Sequence, residues 1–114
     1  MLTTLNQAKD QLGIDIDDDY HDERLGRLII RAVGLVCSDI GRDIYQTAAE
    51  VPEEAEAPIV LDGLSDIKKA QLETACLLQI SSLDSNREVD TEKSLTTNPA
   101  YTSAIKGFRR VLIG

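Results

Sequence analysis

The chain has 114 residues, 42% of them apolar, 28% charged and 4% aromatic, with 20 Asp or Glu against 12 Lys or Arg for a net charge of −8. That length makes one domain, residues 1–114, able to bury roughly two thirds of the surface its unfolded chain exposes, so a true core is expected. The acidic balance excludes a protein that grips duplex DNA by its phosphates, which needs a basic face, and the absence of any apolar run near about eighteen residues excludes a helix that crosses a bilayer.

The opening MLTTLNQAKD is polar and lacks the apolar stretch of a secretory leader, so a cytosolic protein is expected. Thr3 or Thr4 caps a short first helix in which Leu5, Ala8 and Leu12 share a face, and Gly13 stops it in a left-handed conformation.

Next comes GIDIDDDYHDE, residues 13–23, with six carboxylates. A calcium loop needs oxygen ligands at positions 1, 3, 5, 7, 9 and 12 and a glycine at position 6. Counted from Asp15, position 6 is Tyr20 and position 12 is Gly26; counted from Asp17, the third ligand is His21 and position 12 is Leu28. The loop therefore reads as the lead into a helix, with Asp17, Asp18 or Asp19 as its cap and the other acids near the positive end of its dipole.

The second helix is the clearest element: Leu25, Leu28, Ile29, Ala32, Val33, Val36, Cys37 and Ile40 recur at helical spacing until Gly41 ends it. On its opposite face lie Arg24, Arg27 and Arg31, beside Gly34 and Ser38. These arginines are either solvated and paired with Glu23 and its neighbours, or they meet an acidic surface on an adjacent copy, with Gly34 allowing close approach.

Residues 42–65 break the helical pattern as a long irregular arm. Pro52 and Pro58 bracket an acidic stretch, and Ile59-Val60-Leu61 forms a short β-type run before the Asp62-Gly63 turn, with a small hairpin to Ile44-Tyr45 as one outcome. Ser65 or Asp66 caps a third helix over about 66–84, whose Leu72, Ala75, Cys76, Leu77, Leu78, Ile80 and Leu83 point in nearly every direction. Such a helix is central in its domain or covered by another subunit. After a polar stretch, Asn98 and Pro99 start a fourth helix with Tyr101, Ala104, Ile105, Phe108 and Leu112 on one face. The expected fold class is all-α: a compact four-helix domain with a long irregular arm or small β-hairpin between helices two and three.

No catalytic constellation emerges. His21 is the sole histidine and sits in an acidic loop, the other acidic clusters fall in loops or linkers, and Cys37 and Cys76 lie on apolar helix faces as buried free thiols. One histidine and two distant cysteines cannot furnish a closed zinc site of about four ligands. No enzymatic activity, metal or cofactor is expected. Charge is uneven: residues 1–66 carry 15 acids and 5 bases (net −10), residues 67–114 carry 5 and 7 (net +2).

Four stretches, taken in order, resemble the head-tail connector (head-completion adaptor) family of long-tailed bacteriophages and prophages: MLTTLNQAKDQLGIDIDDDYHDERLGRLIIRA, IGRDIY, DIKKAQLETACLLQISSLDSNREV and NPAYTSAIKGFRRV. They carry the family's opening helix and L-x-I-D turn (Asp15), an I-K-x-A helix ending in N-R-E (Asn86, Arg87, Glu88), and a terminal helix with basic residues. Two departures are the Pro- and Glu-rich arm 46–58, and Leu83-Asp84-Ser85 where the family often has an aromatic.

The resemblance implies a non-enzymatic virion protein at the head-tail junction, present in the host cytoplasm during assembly. It would form a homo-oligomeric ring under the portal protein after DNA packaging, extend the DNA channel without sequence-specific binding, and dock a stopper or tail-completion protein. Phe108, Arg109 and Arg110 are then expected to dock on the portal, and Arg24, Arg27, Arg31 and Gly34 to contact the neighbouring subunit. A different class remains open: an acidic interaction protein acting as a DNA mimic or regulatory inhibitor.

Overall fold

Thr4 opens helix α1 (Leu5–Leu12) by reciprocal capping: its hydroxyl accepts from the Gln7 amide at 3.2 Å, and the Gln7 side chain accepts from the Thr4 amide at 2.8 Å. Two amides with no partner inside the helix are thereby satisfied. Gly13 closes α1 at φ 71°, and Gly41 closes α2 (Asp22–Ile40) at φ 70°, a conformation that disfavours any residue with a Cβ. The computed structural model describes residues 3–55, 57–85 and 98–109.

Ser65 precedes α3 (Asp66–Ser85), and its hydroxyl accepts from the Lys68 amide at 3.3 Å. Asn98 precedes α4 (Pro99–Ile105) and accepts from the amides of Ala100 and Tyr101 at 2.9 and 3.4 Å. Thr3, the other candidate for the first cap, is instead wholly buried. The fourth helix is shorter than its periodicity suggests. It stops at Ile105, and a tight turn from the Phe108 amide to the Ile105 carbonyl carries Phe108 back into the core. Leu112 lies outside the described residues.

The result is a mostly helical, compact domain in which α1, α2 and α4 all pack on α3. The core joins Ile29, Ala32, Val36 and Ile40 of α2 to Leu72, Ala75, Cys76 and Ile80 of α3, with Ala8 from α1 and Tyr101 from α4 closing it at the sides. Among the described residues no helix is long and apolar enough to cross a membrane.

The arm contains β1 (Ile44–Tyr45) and β2 (Ile59–Val60), the two segments expected to pair, but they run parallel, Ile44 beside Ile59 and Tyr45 beside Val60. This corrects the hairpin. Residues 46–58 between them supply the dozen or so positions that a parallel return needs. Arg42 fixes the base of the arm. Its guanidinium donates to the carbonyls of Ala57 at 2.7 Å, Pro58 at 3.3 Å and Phe108 at 3.4 Å. Ala57 is the one non-glycine among the described residues with positive φ, 47°, and the shortest of these bonds holds its carbonyl.

A buried polar node ties three helices together. The Asp39 carboxylate of α2 accepts from the Tyr101 hydroxyl of α4 at 2.5 Å and from the Gln79 amide of α3 at 3.4 Å. Burial, then the bond to Asp39, push the Tyr101 phenol above its ordinary value of 10.0. The folded chain thus keeps a proton that the unfolded chain releases above about pH 10, so stability that is fully present below that pH declines as pH rises through it.

Two outcomes follow from these bonds. Tyr101→Phe is expected to cost about 1–2 kcal/mol at neutral pH, since Asp39 loses its closest donor, and to reduce the loss of stability above about pH 10; urea unfolding at several pH values measures both. Arg42→Ala is expected to cost about 2 kcal/mol by freeing three carbonyls held by one charged donor, read as a lower urea midpoint.

Candidate functional site

The acidic loop before α2 is built from its own side chains. Asp15 Oδ1 accepts from the Asp17 amide and Asp18 Oδ1 from the Tyr20 amide, each at 3.0 Å. The expected capping of α2 by Asp17, Asp18 or Asp19 is corrected: the helix starts at Asp22, and His21 occupies the cap position without a side-chain bond. Short carboxylates bond readily to the backbone two residues on, and that local turn wins here. Asp22 and Glu23 lie in the first turn of α2, where their charge suits the helix dipole.

Lys9 of α1 anchors the loop from beneath. Only 4% exposed, it donates to the Ile16 carbonyl at 3.1 Å and pairs with Asp22 at 2.8 Å. With the backbone held this way, Ile16 is 58% exposed and Tyr20 86% exposed, with Asp15, Asp17 and Asp19 exposed around them. His21 stands edge-on to the Tyr20 ring, centroids 4.9 Å apart.

The three arginines of α2 have different environments. Arg24 bridges to Asp84 of α3 at 2.6 Å and is half-buried, so it serves as a strut between helices. It is positioned there because the end of α3 passes the first turns of α2. Arg27 is exposed and pairs along the helix with Glu23 at 3.3 Å. Arg31 is exposed and makes no ion pair among the described residues. Glu23, Arg27, Ile30, Arg31, Gly34 and Ser38 form one continuous exposed stripe, in which Ile30 is 70% exposed.

A Cβ built at Gly34 would meet nothing within 4 Å, so no neighbour among the described residues requires the glycine. Of the two alternatives for this face, the pairing with Glu23 is seen at Arg27, while Arg31 is exposed without an ion pair among the described residues.

The residues expected at the portal separate as well. Phe108 is 4% exposed and packs in the core, so its ring is not offered to a partner; it anchors the segment from which exposed Arg109 emerges. Arg110, Asn86, Arg87 and Glu88 lie outside the described residues. Asp15 serves the loop's first turn.

Reactive chemistry is suppressed where it could be sought. Cys37 and Cys76 are free, and burial raises both thiols above their ordinary value, which reduces the nucleophilic thiolate. Among the described residues no group of three or more His, Cys, Asp or Glu is placed to hold a metal ion.

Sequence reasoning missed Lys9, Asp39 and Arg42. A signal existed for two of them. Lys9 stands four residues after Leu5 and Asp39 three after Val36, each a charge in phase with an apolar stripe. Arg42 follows the helix-ending glycine, where periodicity is silent.

No family model, no curated protein and no solved structure matches this chain.

Gly34→Ala is expected to stabilise the isolated chain by about 0.5–1 kcal/mol, because alanine favours an exposed helix interior and the site has room for the methyl group. A raised midpoint in urea unfolding checks it.

Proposed function

We propose that this chain is a structural, non-enzymatic component of a bacteriophage or prophage virion: a head-tail connector whose copies form a ring under the portal, extend the DNA channel and present a docking surface to a stopper or tail-completion protein. The observation that carries the reading is the outward stripe of α2. The best-formed helix of the chain leaves Ile30 exposed between Arg27 and Arg31, next to a glycine that no neighbour among the described residues requires. Such a face suits close contact with another protein surface.

The four family-like stretches lend further support through the work they do here. The first spans α1, the acidic turn and much of α2. IGRDIY contains the Gly41 stop, the Arg42 anchor and β1. The third opens with α3, and the fourth begins with the Asn98 cap of α4. A net charge of −8 also suits a conduit, since a channel that lets DNA slide must not grip its phosphates.

Co-expression with a portal protein, taken from the gene's own neighbourhood where one is encoded, tests the reading. The expected result is co-purification as a ring at the portal's narrow end, seen by electron microscopy, with Arg109→Glu weakening capture. Flanking genes for restriction or regulation, with no portal or capsid gene nearby, would replace it with the acidic-inhibitor reading.

A further inference from the structure

We infer that the loop of residues 15–20 on one copy docks on the outer stripe of α2 on the next, joining copies head to tail. This deepens the connector reading and rests on it for the biological setting, but the contact is argued from the two surfaces themselves.

The surfaces are complementary in charge and in apolar character. The stripe presents Ile30 with the unpaired Arg31 and with Arg27, whose exposed pairing with Glu23 is weak, on a chain that is otherwise acidic. The loop presents Ile16 and Tyr20, the latter 86% exposed, within a field of exposed Asp15, Asp17 and Asp19. Large apolar side chains ringed by one sign of charge, facing an apolar side chain flanked by the other, give both burial and orientation on contact. Gly34 beside Ile30 lets the incoming loop approach the helix backbone.

The two surfaces cannot satisfy each other within one chain. Lys9 holds the Ile16 carbonyl and Asp22, which fixes the loop at the beginning of α2. Arg31 lies about 14 Å further along the helix axis, at about 1.5 Å per residue. The loop's opposite charge and exposed Ile16 and Tyr20 make a second copy the occupant of the stripe. Because the contact joins two different patches, it generates a ring or an open chain of subunits rather than a closed pair.

Reversal of charge on each side tests the contact. One variant carries Arg27→Glu and Arg31→Glu; the other carries Asp17→Lys and Asp19→Lys, which spares Asp15 and Asp18, whose carboxylates form the loop's turns. Sedimentation velocity and amide spectra are followed from dilute to near-millimolar protein at low salt, where charge contacts are least screened, with circular dichroism confirming that each variant is folded. Expected are growth beyond the dimer for the unaltered chain, amide shifts centred on residues 15–20 and 27–34, and at least about a tenfold loss of association in either variant alone.

An equimolar mixture of the two variants is expected to recover association, because native loop then meets native stripe and reversed loop meets reversed stripe. An unaltered chain that remains monomeric across this range, an assembly that stops at the dimer, variants that associate normally, or a mixture no stronger than its parts would each overturn the inference. Association through these patches without portal binding would defeat the connector reading alone. Portal binding with association through other residues would defeat only this contact.

Discussion

From Leu72 onward α3 carries apolar side chains in nearly every direction, and the need to bury that stretch is the constraint it imposes on the rest of the molecule. Helices α1, α2 and α4 are arranged so that each covers part of it. Once α2 has turned Ile29, Ala32, Val36 and Ile40 toward α3, its opposite face keeps one tie to α3, through Arg24 and Asp84, and leaves Arg27, Ile30, Arg31 and Gly34 exposed. The interior thereby determines which surface is left exposed.

Three charged residues convert this packing into a defined shape. Lys9, Asp39 and Arg42 are placed where helices end or loops begin, and each satisfies groups from segments distant in sequence. Partly buried charges of this kind are costly unless they find several partners. Here they do, so loops that a core of this size could not have ordered by apolar contact are held in one arrangement. The same device that orders the acidic loop also keeps Ile16 and Tyr20 in water.

Much of the fold was legible because periodicity and caps act locally. The stops at Gly13 and Gly41, the start at Asn98 and the long apolar stripe of α2 need no tertiary information. The direction of β2 relative to β1 was not legible, since two-residue strands carry no directional signal and the outcome depends on how the arm closes. The cap of α2 is not legible because the adjacent aspartates are all good cap residues, yet local turns at Asp15 and Asp18 win and the helix starts after His21 instead. On the candidate surface, Arg24, Arg27 and Arg31 look equivalent on a helical wheel; the passage of Asp84 beside Arg24 separates it from the other two, and Glu23 one turn back separates Arg27 from Arg31. Phe108 looked like a terminal anchor for a partner, but the turn after Ile105 directs it inward.

The parallel pair at the base of the arm also bears on how such a chain can change over evolutionary time. Because β1, β2 and the Arg42 bonds fix both ends of residues 46–58, the segment between them contributes little to the positions of the helices. Each doubling of such a loop costs only about 0.6 kcal/mol in closure entropy. Changes of length between residue 47 and the Ala57-Pro58 anchor are thus cheap while the four helices stay in place.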